Sequence, residues 1–270
     1  MPLVDSRTGQ VRKTYSLAEL VQAANVMRGY NLIALCAAGS GHAGGTMSIM
    51  DITAALYLHV LRHDPENPQW EERDRVIWST GHKAPSLYIG LGMAGYFPID
   101  DVVRLRKLYA PYQGHPHWLK LPGVEISSGS LGQGLSVAVG IAKAALLDRR
   151  AYRVYSLNGD GEQQEGQIWE AVMEAGAWKL DNLCCVIDRN RLQIDGWVKD
   201  VMNIEPIVDK YRAFGWNTIE IDGHNMQQIL QAFEKAARTK GQPTAIIANT
   251  IKGKGVSFME NVAGWHGKAP

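Results

Sequence analysis

The chain has 270 residues, 46 % of them apolar and 20 % charged, which is enough for one sizeable α/β core. Its 28 basic and 27 acidic residues leave a formal net charge of +1, so no bulk field draws it to nucleic acid or to a membrane surface. Three cysteines, with Cys184 and Cys185 adjacent in an apolar run, point to reduced buried thiols and a cytoplasmic setting; residues 1–14 lack an apolar targeting segment, and no stretch approaches the roughly 20 residues of a membrane span.

Ser16-Leu17-Ala18-Glu19 has the form of a capping box. Leu17, Leu20, Val21, Ala24, Met27 and Ala34 then keep helical spacing. A glycine-rich turn over residues 39–46 ends this helix, and Ser48 is placed to cap the next, over residues 49–60. Residues 75–79 read as the first strand, followed by helices at 84–94 and 99–107. A long loop, 110–130, leads into a helix of small residues at 131–147. Strand 153–157, helix 166–180 and strand 183–188 follow. Helix 206–214, strand 216–221, helix 226–238 with Asn225 as its cap, and strand 244–250 complete the body. Five strands alternating with helices predict an α/β fold: a doubly wound, mostly parallel sheet flanked by helices. No repeat, low-complexity tract or linker interrupts it, so residues 1–270 read as a single domain.

Two segments carry the most chemistry. Leu157-Asn158-Gly159-Asp160-Gly161-Glu162 and Asp188-Arg189-Asn190-Arg191-Leu192 each end an apolar β-type run, and a helical stretch lies between them. In one βαβ unit, Asp160 and Asn190 come to the same sheet edge. A carboxylate beside an amide oxygen suits Mg²⁺ or Ca²⁺, with a third ligand available from the Leu192 carbonyl and further oxygens needed from a diphosphate. Gly161 precedes a helix start, where N–H groups would face a phosphate. Taken singly, Gly159-Asp160-Gly161 is also an ordinary turn and Asn190 an ordinary turn cap; the βαβ spacing is what favours the metal.

Eight histidines are present, and four lie in glycine-flanked loops: His42, His82, His115 and His266. Imidazole near neutral pH binds phosphate, donates to hydroxyls and moves protons. His59, His63 and His224 read as structural or solvated, and His117 stays open. Gly39-Ser40-Gly41-His42-Ala43-Gly44 matches GxGxxG, but it follows a helix where a dinucleotide site requires a strand. Lys252, just after the last strand, is either a phosphate contact or part of a basic surface loop.

Together these residues resemble the N-terminal, diphosphate-binding region of a transketolase. The resemblance rests on the Asp160 to Asn190 module and on Ser40-Gly41-His42, Ser79-Thr80-Gly81-His82, Gly114-His115-Pro116, Gly129-Ser130-Leu131-Gly132-Gln133-Gly134, Glu165-Gly166, Lys252-Gly253-Lys254-Gly255 and Trp265-His266-Gly267, in order along most of the chain. It implies the PP-type thiamine-diphosphate-binding fold, with thiamine diphosphate and Mg²⁺ or Ca²⁺ as cofactors. Asp160, Asn190 and the Leu192 carbonyl would hold the metal. His82, Gly161 and Lys252 would contact the diphosphate, with Gly129, Ser130 and Leu131 along the cofactor. His42, His115 and His266 would face the thiazolium and the sugar hydroxyls, and Glu165 would lie near the subunit interface and couple two active sites. The implied reaction moves a two-carbon ketol unit from a ketose phosphate to an aldose phosphate.

Two features depart from the family pattern. Ala43 stands where the motif usually has proline, and the chain stops four residues after His266. Full-length transketolases continue into a pyrimidine-binding domain that carries the activating glutamate and the phosphate-gripping arginines. The expectation is therefore a two-chain enzyme in which a C-terminal subunit supplies that half, as a dimer of heterodimers acting on sugar phosphates. The α-subunit of a 2-oxo acid dehydrogenase shares the cofactor motif, but the four loop histidines and Gln133 favour a transketolase. A non-catalytic regulatory homologue is disfavoured by intact Asp160, Asn190 and His82.

Overall fold

The computed structural model describes residues 3–270; Met1 and Pro2, part of the stretch read as non-targeting, lie outside the described residues. Five strands, β1 (Arg75–Trp78), β2 (Val154–Gly159), β3 (Leu183–Arg189), β4 (Asn217–Asp222) and β5 (Thr244–Asn249), pair in the order β1-β2-β3-β5-β4. Every pairing is parallel, with Val154 opposite Leu183 and Cys184 opposite Thr244. The fold class expected from alternating strands and helices is the one observed.

The helices are α1 (Leu17–Ala38), α2 (Ala43–Ser48), α3 (Met50–Ala55), α4 (Ala84–Ala94), α5 (Gln133–Leu147), α6 (Gly166–Ala177), α7 (Val198–Val201), α8 (Ile207–Ala213) and α9 (Met226–Arg238). Strand side chains alternate between two apolar cores. Trp78, Tyr155, Leu157, Cys184, Val186 and Ile246 enter one core, with residues of α1, α3, α4 and α9. Ile77, Val154, Leu183, Cys185, Ile187 and Ile247 enter the other, with residues of α5, α6 and α8. Apolar side chains on both faces are what a parallel sheet covered by helices requires. All three cysteines are free, and Cys184 and Cys185 are buried. No described helix is long and apolar enough to cross a membrane.

The predicted caps on α1 and α9 are present: Ser16 and Glu19 form the capping box, and Asn225 accepts from the Gln228 N–H. Three local expectations are corrected. The predicted helix over residues 49–60 starts at Met50, because the Ile49 backbone (φ −96°, ψ 2°) leaves the helical region; Ala43–Ser48, expected partly within the glycine-rich turn, is a helix of its own, and the last turn, Leu56–Val60, is a π-helix. Ser48 caps nothing, because its hydroxyl is turned away from the helix start, within hydrogen-bond distance of both Asp188 Oδ2 (2.6 Å) and the Gly45 carbonyl (2.8 Å) with one proton to donate. Residues 99–107 form only a 3₁₀ helix, Ile99–Arg104. The structure adds two short antiparallel pairings, Leu3–Val4 with Val11–Lys13 and Leu192–Gln193 with Gly196–Trp197.

Candidate active site

The loops after β1, β2, β3 and β5 leave the C-terminal edge of the sheet, where open α/β folds bind ligands, and the segments carrying His42, His115, Gly129 and His266 join them from other parts of the chain. They surround one cleft of about 360 Å³. Of the thirteen residues expected at the site, twelve line it: His42, His82, His115, Gly129, Leu131, Asp160, Gly161, Glu165, Asn190, Leu192, Lys252 and His266. Ser130 does not line it and is exposed.

Asp160 follows β2 and is buried. Its Oδ1 accepts the Gly161 N–H at 2.8 Å and its Oδ2 accepts the Arg191 N–H, so two backbone donors fix the carboxylate. Asn190 donates Nδ2 to Asp188 Oδ2 at 2.9 Å, which leaves its amide oxygen as the acceptor facing Leu192 N at 3.2 Å. The Leu192 carbonyl accepts from Lys252 Nζ at 2.8 Å. The donor set is therefore one carboxylate, one amide oxygen and one carbonyl. These hard oxygens fit Mg²⁺ or Ca²⁺ and need completion by oxygens from a bound group. Among the described residues, no cluster of three or more His, Cys, Asp or Glu side chains could hold a metal by itself. Burial, aided by the Asp188 charge, pushes the Asp160 carboxyl up to about 6. A divalent cation there would act in the opposite direction.

One expectation about Gly161 is modified by this geometry. Its N–H points into the Asp160 carboxylate, and it opens only a short 3₁₀ turn, Gly161–Gln164, with α6 starting later at Gly166. A phosphate would share that N–H with Asp160, without a long helix dipole behind it.

Three charged residues not singled out in the sequence hold the site together. Glu162 is buried and accepts from the Ser79 hydroxyl, the Gly132 N–H at 2.9 Å, the Gly159 N–H at 3.0 Å and Asn158 Nδ2 at 3.2 Å. One carboxylate thus ties the ends of β1 and β2 to the loop before α5. Asp188 accepts from Lys83 Nζ at 2.6 Å, Ser48 Oγ at 2.6 Å, Asn190 Nδ2 and the Thr250 hydroxyl. Burial alone would raise the Asp188 carboxyl, but the Lys83 ammonium and these donors hold it below its ordinary value. The available sequence signals were faint: Asp188 is a carboxylate ending an otherwise apolar strand, and Lys83 adjoins His82.

The four loop histidines converge. Ring centroids are 5.2 Å apart for His42 and His82, 5.6 Å for His42 and His266, 5.4 Å for His82 and His266, and 6.4 Å for His42 and His115. Each is held neutral. Burial and the nearby Arg106 charge lower His42 to about 4, burial and Lys252 lower His266 to about 3, and burial lowers His82 and His115 as well. Buried His42 Nδ1 and Thr80 Oγ1 have no hydrogen-bond partner within the described residues, so they await groups from a ligand. Lys252 donates to His266 Nδ1 at 2.7 Å, which places the ring proton of His266 on Nε2. Burial and the neighbouring Lys83 charge bring Lys252 down to about 8.

Small residues let these loops meet. A Cβ on Gly44 would lie 2.9 Å from the Lys252 side chain, and one on Gly81 would lie 2.6 Å from the Ser128 backbone. Ala43, in place of the expected proline, is the first residue of α2, a position where proline and alanine adopt the same backbone. His63 is structural, with its ring nitrogens on Tyr96 OH at 3.0 Å and the Tyr57 carbonyl at 2.9 Å. His224 is likewise structural rather than solvated, with partners that the sequence did not signal: its Nδ1 faces Asp51 at 2.8 Å and its Nε2 accepts the Ile251 N–H at 2.8 Å.

A parallel α/β sheet with a cleft at its strand ends that gathers three hard oxygens, two lysines and four neutral histidines defines a diphosphate-binding domain. Residues 20–270 match the family model described as transketolase, thiamine diphosphate binding domain, and the chain belongs to that family. It is 45 % identical over 248 residues to the 6-deoxy-6-sulfo-D-fructose transketolase subunit SqwG of a Clostridium species, covering 92 % of this chain and 90 % of that protein. It is 42 % identical to one of the subunits of the apulose-4-phosphate transketolase of Phocaeicola vulgatus, covering 86 % of this chain and 83 % of the relative. Transketolase from Campylobacter jejuni superposes with a TM-score of 0.87 at 36 % identity over 93 % of this chain. The chain spans about 40 % of the length of that solved transketolase.

Proposed function

We propose that this chain is the diphosphate-binding subunit of a two-chain transketolase, a single domain that acts once a separate pyrimidine-binding subunit completes the cleft. The observation that carries this reading is the convergence of four neutral histidines on the cleft that also holds Asp160, Asn190 and the Leu192 carbonyl. Two relatives of nearly the same length, each named as a transketolase subunit, support it.

In this reading Asp160, Asn190 and Leu192 hold Mg²⁺, or Ca²⁺ in its place, while Lys252, His82 and Gly161 meet the diphosphate and Gly129 and Leu131 flank the cofactor. Thiamine diphosphate, when bound, supplies the nucleophilic carbon and the electron sink for moving a two-carbon ketol unit. The protein contributes position and proton handling. His42 and His115 stay neutral at pH 7, so each ring donates with one nitrogen and accepts with the other at the hydroxyls of a sugar. His266 donates from Nε2 because Lys252 occupies its Nδ1. Glu165, at the cleft rim and exposed, is placed to meet a second subunit.

The relatives are named for 6-deoxy-6-sulfo-D-fructose and for apulose 4-phosphate, so the donors to test are these two and xylulose 5-phosphate. Ketol transfer to an aldose phosphate is measured with thiamine diphosphate and Mg²⁺, for the chain alone and mixed with a candidate pyrimidine-binding subunit. Turnover only in the mixture is expected. Full turnover by the chain alone overturns the two-chain reading, and pyruvate decarboxylation by the mixture would favour a 2-oxo acid dehydrogenase instead.

A further inference from the structure

The loop that carries Lys252 is anchored from outside the cleft. His224 lies between β4 and α9, in a turn that rests on the exit of β5: the Gly223 N–H donates to the Asn249 carbonyl at 2.8 Å, and a Cβ on Gly223 would lie 2.4 Å from Thr250 Cγ2. The Ile251 N–H donates to His224 Nε2 at 2.8 Å. A backbone amide can only donate, so Nε2 is bare and the ring proton sits on Nδ1, 2.8 Å from Asp51 Oδ2. Asp51, on α3, also receives the guanidinium of Arg28 from α1, and Arg28 Nε reaches the Met47 carbonyl in α2 at 3.3 Å. Arg28 and Asp51 are both buried. One residue beyond Ile251, Lys252 extends to the Leu192 carbonyl and to His266, and the next N–H, of Gly253, donates to the Gly44 carbonyl at 2.9 Å.

We propose that Arg28, Asp51 and His224 form a positioning relay that holds the Ile251 amide and so sets Lys252 at the diphosphate site. None of the three lines the cleft, so their effect passes through the backbone of the Lys252 loop. The proposal rests on the reading of Lys252 as a diphosphate contact. The Asp–His pair fixes the imidazole tautomer as a carboxylate does behind a metal-bound histidine, except that here the recipient is a backbone N–H. Without the acceptor on His224, that N–H is left unpaired and the loop loses its anchor.

Two substitutions separate the halves of the relay. His224→Asn keeps a donor near Nδ1 for Asp51 but has no acceptor at Nε2; His224→Gln places an amide oxygen near Nε2 and can still accept from Ile251. In the 270-residue chain, amide hydrogen exchange at Ile251 is expected to rise about tenfold in H224N, the size of one lost hydrogen bond, and to rise less in H224Q, which keeps the acceptor but loses the hold of Asp51. Calorimetric titration with inorganic pyrophosphate and Mg²⁺ is expected to show affinity about tenfold weaker in H224N, weakened less than that in H224Q, and weakest in K252M. Unchanged exchange at Ile251 in H224N overturns the relay. So does equal weakening in H224N and H224Q in step with an equal fall in Tm, which marks a merely structural histidine. Unchanged pyrophosphate affinity in K252M, with Ile251 released in H224N, overturns the diphosphate role of Lys252 and leaves the anchoring of the loop standing.

Discussion

Single residues in this chain take their chemistry from burial. His63 is almost fully buried, with both ring nitrogens engaged, and burial lowers it to about 4. The unfolded chain takes up this proton as pH falls through about 6.5, whereas the folded chain resists until about 4. Stability tied to His63 is therefore complete above pH 6.5 and lost between pH 6.5 and 4, on the order of 3 kcal/mol in all. Urea unfolding at pH 7.5, 5.5 and 4.5 should give falling free energies, with a shallower slope in His63→Gln; parallel slopes would remove His63 as a cause. Ala43 leads to a second expectation. Because it opens α2, Ala43→Pro should fit the existing backbone and raise stability by about 0.4–1 kcal/mol by restricting the unfolded chain. A fall in Tm would mean that the buried surroundings of Ala43 have no room for the ring.

At the scale of elements, close approaches count for more than helix propensity. Gly176 lies in α6, and a Cβ there would lie 1.9 Å from the Phe214 carbonyl oxygen after α8. Alanine favours an isolated helix by about 1 kcal/mol over glycine. Gly176→Ala should nevertheless destabilise the protein by about 2 kcal/mol or more, since two backbones would have to separate. Thermal unfolding decides this, and a stabilised variant would show that α8 moves freely. Gly134 makes the same kind of contact nearer the site, where a Cβ would lie 2.4 Å from Ser79 Oγ. Ser79 bonds to Glu162, so Gly134→Ala should disturb the junction of β1, β2 and α5 and weaken cofactor binding as well as stability.

For the whole molecule, the parallel sheet places every loop of the site along one edge, and a ligand filling that edge joins elements far apart in sequence. Thiamine diphosphate with Mg²⁺ at 100 times its Kd should raise the unfolding free energy by about 2.7 kcal/mol. Removing the metal with a chelator should abolish most of that gain, and so should Asn190→Ala, because the first withdraws the cation proposed at the triad and the second one of the oxygens that would hold it. A Tm shift that survives chelation would mean that the diphosphate binds without the metal. Adding the pyrimidine-binding subunit should raise the shift further, since the cofactor would then be buried by two chains.

The order of strands and helices was legible because their periods are local: alternating apolar runs make buried strands, and the caps of α1 and α9 are spelled out by Ser16, Glu19 and Asn225. The sequence likewise named the four loop histidines and the Asp160 to Asn190 module, since glycine-flanked polar residues at strand ends stand out from an apolar body. What it left open depends on distance in space. Glu162 and Asp188 act as hubs through partners up to 140 positions away, such as Ser48. Ser48 looked like a cap and became a donor to Asp188, because a buried carboxylate is costly to leave without hydrogen-bond donors. His224 looked partnerless because Asp51 lies 173 residues earlier. The sequence by itself therefore determined the elements, the edge of the sheet that carries function and the family. Only the tertiary structure decided which charges neutralise one another, which ring nitrogen of His224 and of His266 carries the proton and what anchors Lys252, because desolvation and hydrogen-bond geometry exist only once distant segments are brought together.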